Sequence, residues 1–109
     1  MKNINLGFSL RDLSYLVAVA EELSFRKAAE RCCVSQSTLS IQVKKCEEYL
    51  GVEVFERAQH YVSVTPVGAD IVALARVAVD AAQFIKEIAN QTHANRSAFG
   101  SVPESPTRL

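Results

Sequence analysis

Gln36, Ser37, Thr38 and Ser40 stand almost side by side, with Ser35 just before them and Ile41, Lys44 and Lys45 just after. These side chains offer hydrogen bonds and positive charge. A glutamine amide can bond bidentately to the edge of an adenine, and serine or threonine hydroxyls can reach base edges or a phosphate. Lysines suit phosphates, which set register and affinity without reading sequence. Arg26 and Lys27, a few residues upstream, add to the same phosphate-binding set. Ile41 interrupts the polar run, and two readings of it stay open: contact with a thymine methyl group, or an isolated exposed apolar residue without a role. The charges too would be no more than a solvated face on a lone helix, so everything turns on the elements that carry them.

Those elements are legible. Ser9 can cap a helix, with Asp12 in the first turn where a carboxylate suits the helix dipole. Leu10, Leu13, Leu16, Val17 and Ala20 then recur at helical spacing, which predicts a helix over about 10 to 22. Ser24 caps a second helix, with Phe25, Ala28, Ala29 and Cys32 facing inward. Ser35 caps a third that runs to Leu50, and Gly51 stops it. On that third helix Leu39, Val43, Cys46 and Leu50 make the buried stripe, so Gln36, Ser37, Ser40, Ile41 and Lys44 point elsewhere. Two capped amphipathic helices a short turn apart, the second showing small polar groups and then lysines, are what a helix-turn-helix needs to place one helix in a DNA major groove.

After Gly51 the periodicity changes. Val52 and Val54, then Val62 and Val64, flank the polar segment Glu56 to His60, which predicts a two-stranded hairpin or wing. Thr65-Pro66 marks the next helix start, an N-cap followed by proline in the first helical position. Along that helix Val67, Ile71, Leu74, Ala78, Ala81, Ile85 and Ile88 step by fours and threes, a heptad seam suited to dimerisation. A parallel stripe of Val72, Ala75, Val79 and Ala82 widens the apolar face. So long an apolar helix should pack partly on the three-helix core and partly against a second copy. The expected organisation is a DNA-binding domain over residues 1–65, a linker helix over 66–94, and a polar, disordered tail over 95–109.

The 109 residues allow one small domain plus an extension. No apolar run approaches the roughly 20 residues of a membrane span, and the N-terminus lacks a secretory pattern, so a cytoplasmic location is expected. Net charge is zero, which argues against a generally basic nucleic-acid binder. Its distribution is uneven. Between Ser24 and Lys45, Arg26, Lys27, Arg31, Lys44 and Lys45 face the single acid Glu30, and Glu47, Glu48, Glu53 and Glu56 then cancel the total. The local positive face is enough for phosphate contact but predicts modest non-specific affinity. Cys32, Cys33 and Cys46 have no metal-type spacing and read as free thiols, with Cys33 the exposed one. His60 and His93 have no second ligand at helical spacing, so no metal site is expected, and no cofactor. Without a nucleophile–base pair or a phosphate-cradling glycine loop, an enzyme reading has nothing to stand on.

Residues from about 10 to 90 resemble the DNA-binding domain and linker helix of LysR-type transcriptional regulators. The resemblance is carried by Leu13 and Val17 to Ala20, Ser24-Phe25 with Ala28-Ala29, and Val34-Ser35-Gln36-Ser37-Thr38-Leu39-Ser40 with Gln42. Glu47 with Leu50-Gly51, Phe55 with Arg57, and Thr65-Pro66 with Gly68 complete it. The run Phe25-Arg26-Lys27-Ala28-Ala29 is similar to the peroxide-sensing OxyR subgroup. The resemblance implies a mainly α winged helix-turn-helix, with a three-helix core and a two-stranded wing, followed by a long dimerisation helix. It implies a homodimer, tetrameric in a full-length context, bound to two-fold-related promoter half-sites and working on the transcription machinery. Gln36, Ser37 and Ser40 would meet bases, and Lys44 and Arg26 the backbone. Arg57 and the wing tip at Gln59-His60 would approach a phosphate or the minor groove. The departures are Ser37 where the family usually has proline, Ala58-Gln59-His60-Tyr61 where its wing is arginine-rich, and Cys46 for leucine. The family's small-molecule effector domain would follow the linker helix and is not expected within these 109 residues. A rival reading makes the chain a dimerisation module that captures a full-length regulator without binding DNA productively.

Overall fold

The computed structural model describes residues 6–98, with side chains through residue 94. The elements run α1 (Leu10–Glu22), α2 (Phe25–Cys32), α3 (Gln36–Leu50), β1 (Phe55–Arg57), β2 (Val62–Val64) and α4 (Pro66–Ala98). This is the mainly helical architecture with a small antiparallel wing that the pattern predicts. No helix among the described residues is long and apolar enough to cross a membrane.

Serines start the first three helices. Ser9 Oγ accepts the Asp12 N–H at 3.1 Å while Asp12 Oδ2 accepts the Ser9 N–H at 2.9 Å, a reciprocal capping box. Ser24 and Ser35 each accept one amide, from Lys27 and Thr38, at 3.1 Å. Each cap satisfies an amide that has no partner within the helix and contributes about 1 kcal/mol. The C-termini are less regular. Gly51 ends α3 in the left-handed region, but Leu23 (φ 51°) and Cys33 (φ 59°) end α1 and α2 in the same conformation without glycine's freedom. Each costs on the order of 1–2 kcal/mol. That strain lets each chain reversal close within a few residues of the next serine cap.

α1 is the central helix. Its residues 15–19 are buried in unbroken succession, the mark of a helix enclosed by several neighbours rather than lying on one. α2 contributes Phe25, Ala28 and Ala29, α3 contributes Leu39, Val43 and Cys46, the start of the wing contributes Val54 and Phe55, and α4 contributes Val72. The alanines keep the α1–α2 approach close. Leu10, the first residue of the helical spacing, is exposed, because it opens α1 a turn before the helix enters the core.

The wing pairs Phe55 with Val64, Glu56 with Ser63 and Arg57 with Val62. Its first strand therefore starts later than Val52–Val54 would place it. The N–H groups of Val54 and Phe55 are taken by the Glu47 side chain, so Val54 dives into the core before the ladder begins. The reversal is a two-residue turn, Gln59-His60, closed by the Ala58 N–H on the Tyr61 carbonyl at 2.9 Å.

Thr65 starts α4. Its hydroxyl donates to the Glu53 carbonyl at 2.6 Å and accepts the Gly68 N–H at 3.0 Å, so one side chain caps the helix and ties it to the strand entry. Gly68 completes the joint, since a Cβ there would collide with the Val54 carbonyl oxygen. The helix continues through Ala98, so residues 95–98, expected in a disordered tail, are helical; no proline or glycine intervenes to stop it. Residues 99–109, the rest of that expected tail, lie outside the described residues. The chain divides into two compact units at Val79 and Asp80. The second, over its described residues, is helix alone, with Phe84, Ile85 and Ile88 exposed on it.

Gly68→Ala should lower the unfolding free energy by about 1–3 kcal/mol, because backbone rather than a flexible side chain must give way. Urea denaturation followed by circular dichroism measures it. An unchanged midpoint would mean that α4 can retreat from Val54 at no cost.

Candidate nucleic-acid interface

The reading face begins with the stripe that hides. Leu39, Val43 and Cys46 of α3 are essentially inaccessible, and their spacing turns Gln36, Ser37, Ile41 and Lys44 outward, with Ser40 half-buried beside them. Ser35 Oγ donates to the Thr38 hydroxyl at 2.9 Å and lies 3.3 Å from Ser37 Oγ. The hydroxyls at the head of α3 are thus linked, and Thr38 is turned toward Ser9 and Arg11 rather than toward the Gln36 side.

Gln36 joins a second set of residues. Arg26 of α2 and Gln59, His60 and Tyr61 of the wing line one open cleft with it, of about 320 Å³. The structure therefore brings Arg26, Gln36, Gln59 and His60 together. Ser40, Ile41, Lys44 and Lys45 lie farther along α3, outside that cleft, and Lys27 is exposed on α2.

The positive charges are only partly available. Arg26 pairs with Glu30 at 2.9 Å, an exposed i,i+4 contact of little worth that a phosphate could replace. Arg31 bonds Glu21 at 2.7 Å and Glu22 at 3.3 Å, and Arg76 bonds Glu21 at 3.0 Å. Arg31 first, and then Arg76, hold the Glu21 carboxyl below its ordinary value. Of the candidate phosphate contacts, Lys27, Lys44 and Lys45 carry no ion pair among the described residues.

Arg57 has partners of its own. Its Nη2 donates to Glu47 Oε1 at 3.4 Å, and the guanidinium sits 4.7 Å from the centre of the Phe25 ring. Glu47 is the residue whose structural role the sequence reading missed, counting it as compensating charge and as part of the LysR pattern but not as a buried carboxylate. It is 4% exposed, and its Oε2 accepts the Val54 and Phe55 amides at 2.8 and 3.1 Å. A signal existed: four residues after Val43, it falls at buried spacing. Tyr61, which borders the cleft, was also passed over, as were Val77 and Phe84, exposed apolar residues off the predicted seam. Of the seam itself, Val67, Leu74, Ala81, Ile85 and Ile88 are exposed, while Ile71 and Ala78 are half-buried and Ile71 packs against the core.

The thiols are poor nucleophiles where they are covered. Burial pushes both Cys32 and Cys46 above the ordinary cysteine value, while Cys33 is exposed at the turn before Ser35. The described residues hold no cluster of three or more metal-ligating side chains.

Residues 10–69 match the family model described as bacterial regulatory helix-turn-helix protein, lysR family. The DNA-binding transcriptional dual regulator OxyR of Escherichia coli K12 is 46% identical over 83 residues, covering 76% of this chain and 27% of that protein. The chain thus spans about a quarter of the length of the curated relatives it matches. Among solved structures, a full-length OxyR variant from Pseudomonas aeruginosa is 50% identical with a TM-score of 0.74, covering 77% of this chain and 28% of that one. A BenM DNA-binding domain in complex with benA site 1 DNA is 36% identical with a TM-score of 0.66, covering 86% of this chain and all of that one.

Removing the Glu47 carboxylate strands two buried amides and one guanidinium, so Glu47→Ala should cost on the order of 2–4 kcal/mol in urea denaturation. Glu47→Gln, which keeps an acceptor oxygen, should cost less. Parental stability in the alanine variant would show that the amides find another partner.

Proposed function

The chain belongs to the LysR family of bacterial regulatory helix-turn-helix proteins and carries its DNA-binding domain, and on that footing we propose how this domain reads DNA. α3 enters the major groove. Gln36, Ser37 and Ser40 meet base edges and Ile41 lies against a thymine methyl group, while Arg26, Lys27, Lys44 and Lys45 take phosphates. Ser35 and Thr38 order the head of α3, and Gln59 and His60 flank the strand beside the cleft. One observation carries the reading: α3 buries one stripe against α1 and leaves a mainly polar face, Gln36, Ser37, Lys44 and Lys45 with Ile41 among them, uncovered. The benA site 1 complex of the similar BenM domain supports it.

Two copies act together through α4 and place their recognition helices about one turn of DNA apart, or a small multiple. Apolar groups on α4 support the pairing. Leu74, Val77, Ala81, Phe84 and Ile88 step by three and four in sequence, and the four large ones among them are exposed, as is Ile85. Such a protein works on promoters in the cytoplasm, as part of the transcription apparatus. The same exposed apolar groups favour a second reading, in which α4 captures a longer regulator and withdraws it from DNA.

A duplex enriched from a random pool separates these readings. Gln36→Ala should bind that duplex about 1–3 kcal/mol more weakly with relaxed preference, and equal losses on random DNA would remove Gln36 from the base contacts. Lys44→Ala should weaken all sequences alike and lower the salt slope by about one. The capture reading instead requires that nothing be enriched and that a partner's mobility shift disappear on mixing. Ile85→Asp should split the dimer in sedimentation, because it sets a charge in an apolar interface. A variant that sediments as the parent does would move the interface elsewhere.

A further inference from the structure

We propose that Tyr61 makes the wing's contact with DNA, its phenol hydroxyl donating to a phosphate oxygen of the strand that passes between the wing and Gln36. The inference rests on the DNA-binding reading above and adds a residue and a chemistry to it.

Tyr61 is 65% exposed, the most exposed aromatic side chain among the described residues. Its exposure has a local cause. It stands opposite Ala58 across the two-residue turn, held there by the Ala58 N–H on its carbonyl, and a methyl group cannot cover a phenol ring. The next residue, Val62, packs against the core and anchors the strand from which Tyr61 projects. The ring borders the cleft that also holds Arg26 and Gln36, so it lies on the continuation of the recognition face rather than on an unrelated surface.

The charged groups on the wing's first strand are less suited to the contact. Arg57 is bound to Glu47 and stacked over Phe25, and withdrawing it would leave a buried carboxylate without its counter-charge. Glu56, the exposed charge beside it on β1, repels phosphate. A tyrosine suits the position because its ring can lie along a deoxyribose while its hydroxyl reaches the phosphate. A neutral donor releases no counterion, so this part of the affinity survives salt that erodes lysine contacts.

The test titrates wild type, Tyr61→Phe, Tyr61→Ala and Tyr61→Arg against the duplex that the wild type enriches from a random pool, across a series of potassium chloride concentrations. Circular dichroism confirms folding, which an exposed side chain should not disturb. Tyr61→Phe should bind about tenfold more weakly with an unchanged dependence on salt. Tyr61→Ala should lose at least as much. Tyr61→Arg should steepen the salt dependence by about one for each protomer bound. Phenylalanine and alanine variants that bind as the wild type does would overturn the Tyr61 contact alone. A wild type that enriches no duplex would overturn both this contact and the DNA-binding reading beneath it.

Discussion

A carboxylate removed from water must be repaid by other donors, and Glu47 meets that demand with two backbone amides and an arginine. The geometry of the reading head follows from this. Glu47 belongs to the recognition helix, the amides belong to the entry of the wing, and Arg57 belongs to the wing's first strand. Through the ring of Phe25 the same arginine touches the helix before the turn. Three elements, α2, α3 and the wing, are therefore held by one network, and none can shift without unsatisfying a buried group. Thr65 and Gly68 extend the constraint to α4, because they bond and pack against residues 53 and 54, at the wing entry that Glu47 holds.

Most of this fold was legible where local chemistry decides. The bounds of α1 followed from Ser9, Asp12 and the leucine spacing, and the exposure of Gln36, Ser37, Ile41 and Lys44 followed from Leu39 and Val43. Thr65-Pro66 marked the start of α4 unambiguously. Failures occurred where a distant group decides. Nothing near Val52 says that Glu47 will claim the next amides and delay the strand. Nothing in Leu23 or Cys33 announces a left-handed turn, since only the demand for a tight reversal puts a side chain there. Leu10 has the right residue type and spacing but lies outside the reach of the core. On α4, exposure extends to Val77 and Phe84, which lie off the predicted stripe.

The electrostatics of the head bear on how selective it can be. Net charge is zero, and Arg26, Arg31 and Arg57 are bound to neighbouring carboxylates, so of the candidate phosphate contacts only Lys27, Lys44 and Lys45 carry no ion pair among the described residues. Non-specific affinity grows with the number of phosphates neutralised, whereas base-edge contacts are made only at a matching site. On the proposed reading, a head with few free cations would hold random DNA weakly and owe a larger share of its site affinity to Gln36 and its neighbours. The proposed pairing would then matter more, because a single weak head gains by linkage to a second through effective concentration. The contact proposed for Tyr61 fits the same economy: a phenol adds affinity at the site without adding to the background attraction that every duplex exerts.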